Sequence, residues 1–328
     1  MAKELNEILV FDPYFAHVIW GGDRIAKFKG IPSEGNDVGE SWEISPMPGR
    51  ESVVAEGRFR GEKLTDLVER YGKDLMGERV QKRFGGKFPL LIKFIDSRGD
   101  LSIQVHPDDA LSAKRHGKFG KTEMWYSICP EEGAYLYAGF KREVTPEEFR
   151  KSIDDNTIVD LLSKYYTRPG DVFFLPAGCV HAIGRGNFVC EIQEASDVTY
   201  RIYDYNRKGA DGKPRELHVA ESLEATRFDA ETQRLAAQRN VTAAPGSEAD
   251  LVHCPYFNTD LLNVDGKMML NLGLRDSFTI LIAIDGDCTL ESDGSRTELP
   301  QGRSALVPAS VDRVQIEGCG RLISVYVP

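Results

Sequence analysis

Three residues that a first-row divalent metal would accept as ligands stand in strand-like surroundings: His106 at the end of LSIQVH, Glu123 in KTEMWY, and His181 just after the turn Pro176-Ala177-Gly178. Such metals take neutral imidazole and carboxylate, and three protein ligands with an open position mark a catalytic rather than a structural centre. A strand's period of two adds neighbours to each ligand. It puts Gln104 beside His106 and turns Ile103 and Val105 to the opposite, apolar face. The same period aligns Lys121 with Glu123, Glu191 with Gln193, and Arg201 with Thr199 and Tyr203. Apolar faces go to a core, so these polar faces look into water or into a site. Taken singly, a histidine here also fits a satisfied core or surface position, and a polar pair fits a solvated strand face.

The remaining histidines carry no such pattern. His116 closes the helix-like DDALSAKRHG, where a cation suits the dipole, and His17 and His253 lie in short apolar segments. His218, in RELHVAES, sits near a helix start, where it could support a site. Neither HExxH, a P-loop, GxGxxG after a strand nor GxSxG occurs.

The elements that must hold these residues are mostly strands. Runs such as ESVVAEGRF, FPLLIKFID, DVFFLP, FVCEIQ, TYRIYDY, TILIAIDG and RLISVYV alternate with Gly, Pro and Asp punctuation, the pattern of a β-sandwich or barrel. Helices are expected near 62–84 and as a pair within 145–166. The first of that pair opens on Thr145-Pro146-Glu147-Glu148, a capping box with proline at the first helical position. The second would place Ile158, Leu161, Leu162 and Tyr165 on one face. Strand character fades across 227–247, which divides the chain into a larger unit, 1–234, and a smaller β unit, 235–328. One spacing recurs: Gly170, Pro176-Ala177-Gly178 and His181 are matched by Gly302, Pro308-Ala309-Ser310 and Arg313. Arginine stays protonated and cannot ligate, so the second unit is expected to repeat the β unit without a metal.

Composition narrows the function classes. The 328 residues suffice for about two domains of roughly 150 residues. With 41 basic against 51 acidic residues the net charge is −10, which lacks the basic footprint of a nucleic-acid binder. No run nears the roughly 18 apolar residues of a membrane span, and MAKELNEILVFDPYF does not read as a secretory signal, so a cytoplasmic address is expected. Six cysteines without a CxxC pair suit a reducing compartment, and all six read as small buried or half-buried side chains.

The segments Trp20-Gly21-Gly22, Gly39-Glu40-Ser41-Trp42-Glu43, FPLLIKFID, LSIQVHPDD, GKTEMWY, LPAGCVHAIG, EIQEASDVTYRIYDYNR and RELH resemble, in order, the type I mannose-6-phosphate isomerases of the short bacterial kind, members of the cupin superfamily. The resemblance runs from residue 20 to 218 and implies a mainly β fold of two cupin, or jelly-roll, barrel domains with a small helical insertion in the first. It implies one zinc per chain on His106, Glu123 and His181, with Gln104 a further ligand in some relatives. It also implies that Arg201 is the active-site arginine and that Lys121 and Glu191 line the pocket. The spacing Gln104-Val105-His106 departs from the generic cupin HxH.

The implied reaction moves a proton between C2 and C1 of an open-chain sugar phosphate, interconverting mannose 6-phosphate and fructose 6-phosphate through an enediol. The anionic intermediate needs a cation, met by a metal and Arg201, and the proton needs a base, Glu191 or Lys121. Gln104, Lys121 and Arg201 would contact the substrate, its phosphate falling to Arg201, Lys121 or Arg207. Two rivals share these residues: a non-haem iron oxygenase, which also uses two histidines and a carboxylate, and a sugar-phosphate-binding cupin without turnover.

Overall fold

The computed structural model describes residues 5–208, 212–233 and 237–328. The expected boundary near residue 235 lies outside the described residues. The β-rich runs form three antiparallel sheets. Seven strands make the first, in the order Ala237–Gln238, Val172–Leu175, Glu123–Ser127, Asn187–Glu194, Leu90–Ser97, Tyr14–Gly22 and Val38–Ile44. Five make the second: Tyr200–Tyr203, Ile103–Val105, His181–Ile183, Tyr135–Phe140 and Leu162–Tyr166.

These two sheets form the sandwich that positions the candidate site. Ile95, Trp125 and Val189 from the first sheet meet Leu136, Ala138 and Ile183 from the second in one apolar cluster. On the outer side of the second sheet, Ile103, Val105, Ala182 and Tyr200 pack against Phe149 and Ile153 of the helix Pro146–Asp154. The first sheet is covered on both faces. Leu90–Ser97 and Asn187–Glu194 are buried at every position, which is why FPLLIKFID reads as a nearly unbroken apolar run. Ile92, Phe94, Cys190 and Ile192 turn away from the sandwich and join Leu261, Ile280, Ile282 and Val325 of the C-terminal sheet in a second core.

That third sheet has eight strands and contains Asn258–Asn271, Thr279–Ser292 and Arg313–Tyr326. It also takes in Leu9–Asp12, with Leu9 opposite Leu306 and Val10 opposite Ala305, and Val53–Val54, which pairs with Leu9–Asp12. The segment at 62–84 breaks into Leu64–Tyr71, Lys73–Met76 and Glu78–Arg83 at Gly72 and Gly77, whose φ of 46° and 89° suit glycine alone. Its last piece is capped from the C-terminal unit: the Asp276 carboxylate accepts from the backbone N–H of Glu78 at 2.8 Å and of Arg79 at 3.0 Å. Phe88 and Phe278 stack beside this cap with ring centroids 4.6 Å apart.

One helix in the expected pair is corrected. Thr145 caps Pro146–Asp154 as anticipated, its hydroxyl accepting from Glu148 N–H at 3.2 Å. The chain then turns at Asn156, where φ is 58°, makes a single 3₁₀ turn over Ile158–Leu161, and continues as the strand Leu162–Tyr166. Leu162 pairs with Phe140 and Tyr165 with Leu136. The spacing of Ile158, Leu161, Leu162 and Tyr165 is met equally by a tight turn running into a strand, and sheet pairing decided between the two.

The repeated spacing is a repeated structure. Gly170 and Gly302 have φ of 81° and 78°, and each leads into a short strand, Val172–Leu175 or Ser304–Val307. A turn follows in both, closed by Cys179 N–H to the Pro176 carbonyl and by Val311 N–H to the Pro308 carbonyl, each at 3.0 Å. His181 and Arg313 then open the next strand. Cys179, Cys190 and Cys288 are buried and Cys254 is half-buried, but Cys129 and Cys319 are exposed, against expectation. Among the described residues no helix is long and apolar enough to cross a membrane.

Candidate active site

His106, Glu123 and His181 converge in the sandwich, their ligand atoms all within 4.8 Å of one another and all three side chains buried. Glu123 begins a strand of the seven-stranded sheet, His181 begins one of the five-stranded sheet, and His106 follows Ile103–Val105. The cluster therefore bridges the two layers. His181 Nε2 is 3.1 Å from Glu123 Oε1, and His106 Nε2 is 3.7 Å from Oε2.

The second ring nitrogens are spoken for. Nδ1 of His106 lies 3.0 Å from the Val198 carbonyl and Nδ1 of His181 lies 3.0 Å from the Cys179 carbonyl. Since a carbonyl only accepts, each Nδ1 carries the proton and each Nε2 offers a lone pair to the cluster, the arrangement that orients metal-bound histidines. Burial, aided by the charge of Lys121, keeps His106 well below the ordinary histidine range and hence neutral. Burial works to raise the Glu123 carboxyl, but Lys121, His106 and His181 outweigh it and hold Glu123 well below the usual range. Although Lys121 Nζ stands 2.7 Å from Glu123 Oε2, neither carboxylate oxygen accepts a well-directed hydrogen bond. A buried carboxylate in that state, flanked by two imidazole lone pairs, fits a divalent cation.

The predicted neighbours surround this cluster. Gln104 lies opposite both His181 and Arg201 in the sheet, and its Nε2 is 3.3 Å from His181 Nε2. Lys121 Nζ is 3.2 Å from His106 Nε2. Arg201 is anchored by Nη1 to the Glu216 carbonyl at 2.9 Å, while its Nε is buried without an acceptor. His218 takes the supporting place open to it, accepting from the Arg201 backbone N–H at 3.1 Å. Arg207 is already committed to Asp204 and to the Asp100 carbonyl.

Glu191 sits farther along the same sheet face, in a group the sequence reading missed. It accepts from Trp125 Nε1 at 3.0 Å and faces Lys93 Nζ at 3.2 Å, and Lys93 also meets Glu40 at 3.5 Å. Burial would lower the Lys93 ammonium, but Glu40 and Glu191 hold it above its ordinary range. The available signal was one lysine within FPLLIKFID. A charge inside a run buried on both faces needs partners.

Comparison with known proteins gives the family. The model of the phosphomannose isomerase type I catalytic domain matches residues 8–129, and that of the mannose-6-phosphate isomerase cupin domain matches 247–327. Mannose-6-phosphate isomerase ManA of Bacillus subtilis is 34% identical over 97% of this chain and 98% of its own length. The chain belongs to the type I phosphomannose isomerase family. The mannose-6-phosphate isomerase of Streptococcus mutans is 33% identical over 92% of each chain. The crystal structure of the B. subtilis mannose 6-phosphate isomerase superposes with a TM-score of 0.85 at 30% identity, covering 98% of this chain and 99% of that one. A putative mannosephosphate isomerase from Archaeoglobus fulgidus shares the fold, with a TM-score of 0.80 at 24% identity over 99% of both chains. Family membership agrees with the cupin reading of a mainly β chain and disfavours the oxygenase and non-catalytic rivals.

A buried carboxylate next to the cluster gives a pH test. Glu194 accepts from the backbone N–H of Thr122, between Lys121 and Glu123, at 2.7 Å. Burial, together with the charge of Asp109, pushes Glu194 up to about 8. The folded protein thus keeps a proton that the unfolded chain, with an ordinary glutamate at 4.5, releases. The stabilisation is complete below about 4.5 and is lost as pH rises through about 8. Glu194→Gln mimics the protonated form, so wild type should lose melting temperature relative to this variant between pH 5 and pH 9. Thermal unfolding of both across that range measures it, and parallel curves would refute the assignment.

Proposed function

We propose that this metal-dependent mannose-6-phosphate isomerase holds one zinc ion on His106, Glu123 and His181, with Gln104 as a further oxygen ligand, and works on its substrate between that centre and Arg201. What supports the reading above all is the pair of imidazoles with Nδ1 on backbone carbonyls and Nε2 directed at an otherwise unsatisfied Glu123. Two nitrogens and a carboxylate are a donor set that zinc accepts. When bound, the metal supplies a fixed positive charge and Lewis acidity to substrate oxygens.

The chain's own residues do the rest. Arg201 presents a buried, unsatisfied Nε beside Gln104 and stabilises the negative charge that develops on the sugar oxygens as the C2 proton leaves. Lys121 or Glu191 carries that proton from C2 to C1. Lys121 is held against Glu123 and His106, while Glu191 is held by Trp125 and Lys93. Both are buried, so solvent competes poorly for the proton. We assign the chemistry to the unit 1–234 and read 235–328 as a metal-free cupin-like unit, since Arg313 stands at the repeat position of His181. The other His/Asp group of the described residues, Asp250, His253 and Asp260, lies on a different hairpin, with His253 and Asp260 already paired at 2.8 Å.

A coupled assay tests the reading. Conversion of mannose 6-phosphate to fructose 6-phosphate should fall to background after chelation and return on zinc add-back, with one equivalent of tightly bound metal per chain. Turnover indifferent to chelation would overturn the metal assignment.

A further inference from the structure

A cavity of about 300 Å³ opens beside the metal cluster and is lined by Lys121, Lys93, Trp42, Asp197 and Arg50. That volume suits a small ligand such as a hexose phosphate. It joins the cluster through Lys121, which touches both Glu123 and His106, whereas a larger groove of about 830 Å³, lined by Met47, Val68, Phe88 and Phe119, includes no residue that touches the three ligands. Charge inside the smaller cavity is mostly spent. Lys121 faces Glu123 at 2.7 Å, Lys93 faces Glu191 at 3.2 Å and Glu40 at 3.5 Å, and Asp197 faces Lys118 at 2.6 Å. The lining histidine, His17, is engaged with Asp37 at 2.7 Å.

Arg50 is different. It is exposed and makes no ion pair among the described residues. Its guanidinium lies over two rings, 4.9 Å from the Trp42 centroid and 5.4 Å from the Tyr14 centroid. These two cation–π contacts restrain the guanidinium without engaging its N–H donors. The backbone is fixed as well. Met47-Pro48-Gly49-Arg50 is a tight turn closed by Arg50 N–H to the Met47 carbonyl at 2.9 Å, with Gly49 at φ 77°, and Ser45 and Ser52 bond to each other directly behind it.

We propose that Arg50 is the phosphate anchor of the substrate, a specificity-determining residue of the cavity that Lys121 joins to the metal cluster; the proposal rests on the isomerase reading above. A phosphate monoester carries close to two negative charges at neutral pH, and an unpaired, preoriented guanidinium offers it two parallel hydrogen bonds. With Lys93 and Lys121 both paired, Arg50 is the lining Lys or Arg without an ion pair among the described residues. The sugar carbons then reach the metal cluster past Lys121.

The test compares mannose 6-phosphate with unphosphorylated mannose on zinc-loaded protein, for wild type, Arg50→Ala, Arg50→Gln and Arg50→Lys. The ratio of kcat/KM for the phosphorylated over the unphosphorylated sugar should fall roughly 10- to 100-fold in the alanine and glutamine variants, mainly through KM, with partial recovery in the lysine variant. Calorimetric titration of mannose 6-phosphate should show the same loss of affinity. An unchanged ratio, or equal losses on both sugars, would overturn the proposal. If wild type binds mannose 6-phosphate in an Arg50-dependent way yet does not isomerise it, the phosphate anchor stands and the isomerase reading fails.

Discussion

His181→Ala should strip the protein of most of its divalent metal and of nearly all isomerase turnover. The ring supplies one of the three His and Glu donors, and removing it leaves His106 and Glu123 around a hole where that nitrogen stood. Loss of a residue that merely orients a ligand costs roughly 10–100-fold in metal affinity or activity, and loss of the ligand itself should exceed that. The backbone of His181 pairs with Ala138 and Gln104 whatever its side chain, so the strand persists. His253→Ala is the control: its half-exposed ring pairs with Asp260 on a different hairpin, and its loss should leave both metal content and turnover near wild type. Full zinc occupancy in the His181 variant, measured by elemental analysis, would remove the residue from the ligand set.

Arg201→Ala should behave in the opposite way on metal and similarly on rate. The guanidinium bonds to the Glu216 carbonyl rather than to any of the three ligands, so the ion should stay. Turnover should fall by roughly 10²–10³, the cost of removing one preorganised donor from a developing negative charge. Arg201→Lys should recover little. A lysine keeps the charge but cannot hold the Glu216 carbonyl with one nitrogen while presenting another to substrate. Near-normal turnover in the alanine variant would pass the role to Lys121.

The polar residues of the site were legible because strand periodicity is rigid. Once LSIQVH and KTEMWY are strands, Gln104 must accompany His106 and Lys121 must accompany Glu123, and both pairs meet in the structure. Period two says nothing about which strands face each other, so what joined these pairs into one cluster was ligand chemistry, two histidines and a carboxylate, and then the resemblance. Lys93, Glu40 and Arg50 escaped notice for different reasons. The first two sit within segments whose apolar or glycine-rich character dominates, and their pairing depends on three strands meeting. Arg50 lies in a turn, where side-chain direction follows from backbone dihedrals that composition only hints at. The strand at Leu162–Tyr166 was misread because its spacing is degenerate, and the register with Tyr135–Phe140 is a long-range fact.

The placement of Leu9–Asp12 constrains how the chain reaches this structure. This early strand is paired with one far later in the chain, Leu9 with Leu306, so that edge of the third sheet cannot close until the later strand has been made. Until then one edge of this apolar β segment lacks its partner, and closure must bear the entropy of a very long loop. Val53–Val54, the strand's other neighbour, is the local partner that can occupy one edge in the meantime. Leu9–Asp12 and Arg313–Tyr326 thereby share one sheet, and closing it joins that sheet to the first through the core that contains Phe94 and Ile280. The first and third sheets should therefore mature as one cooperative unit, not as two beads folded in turn.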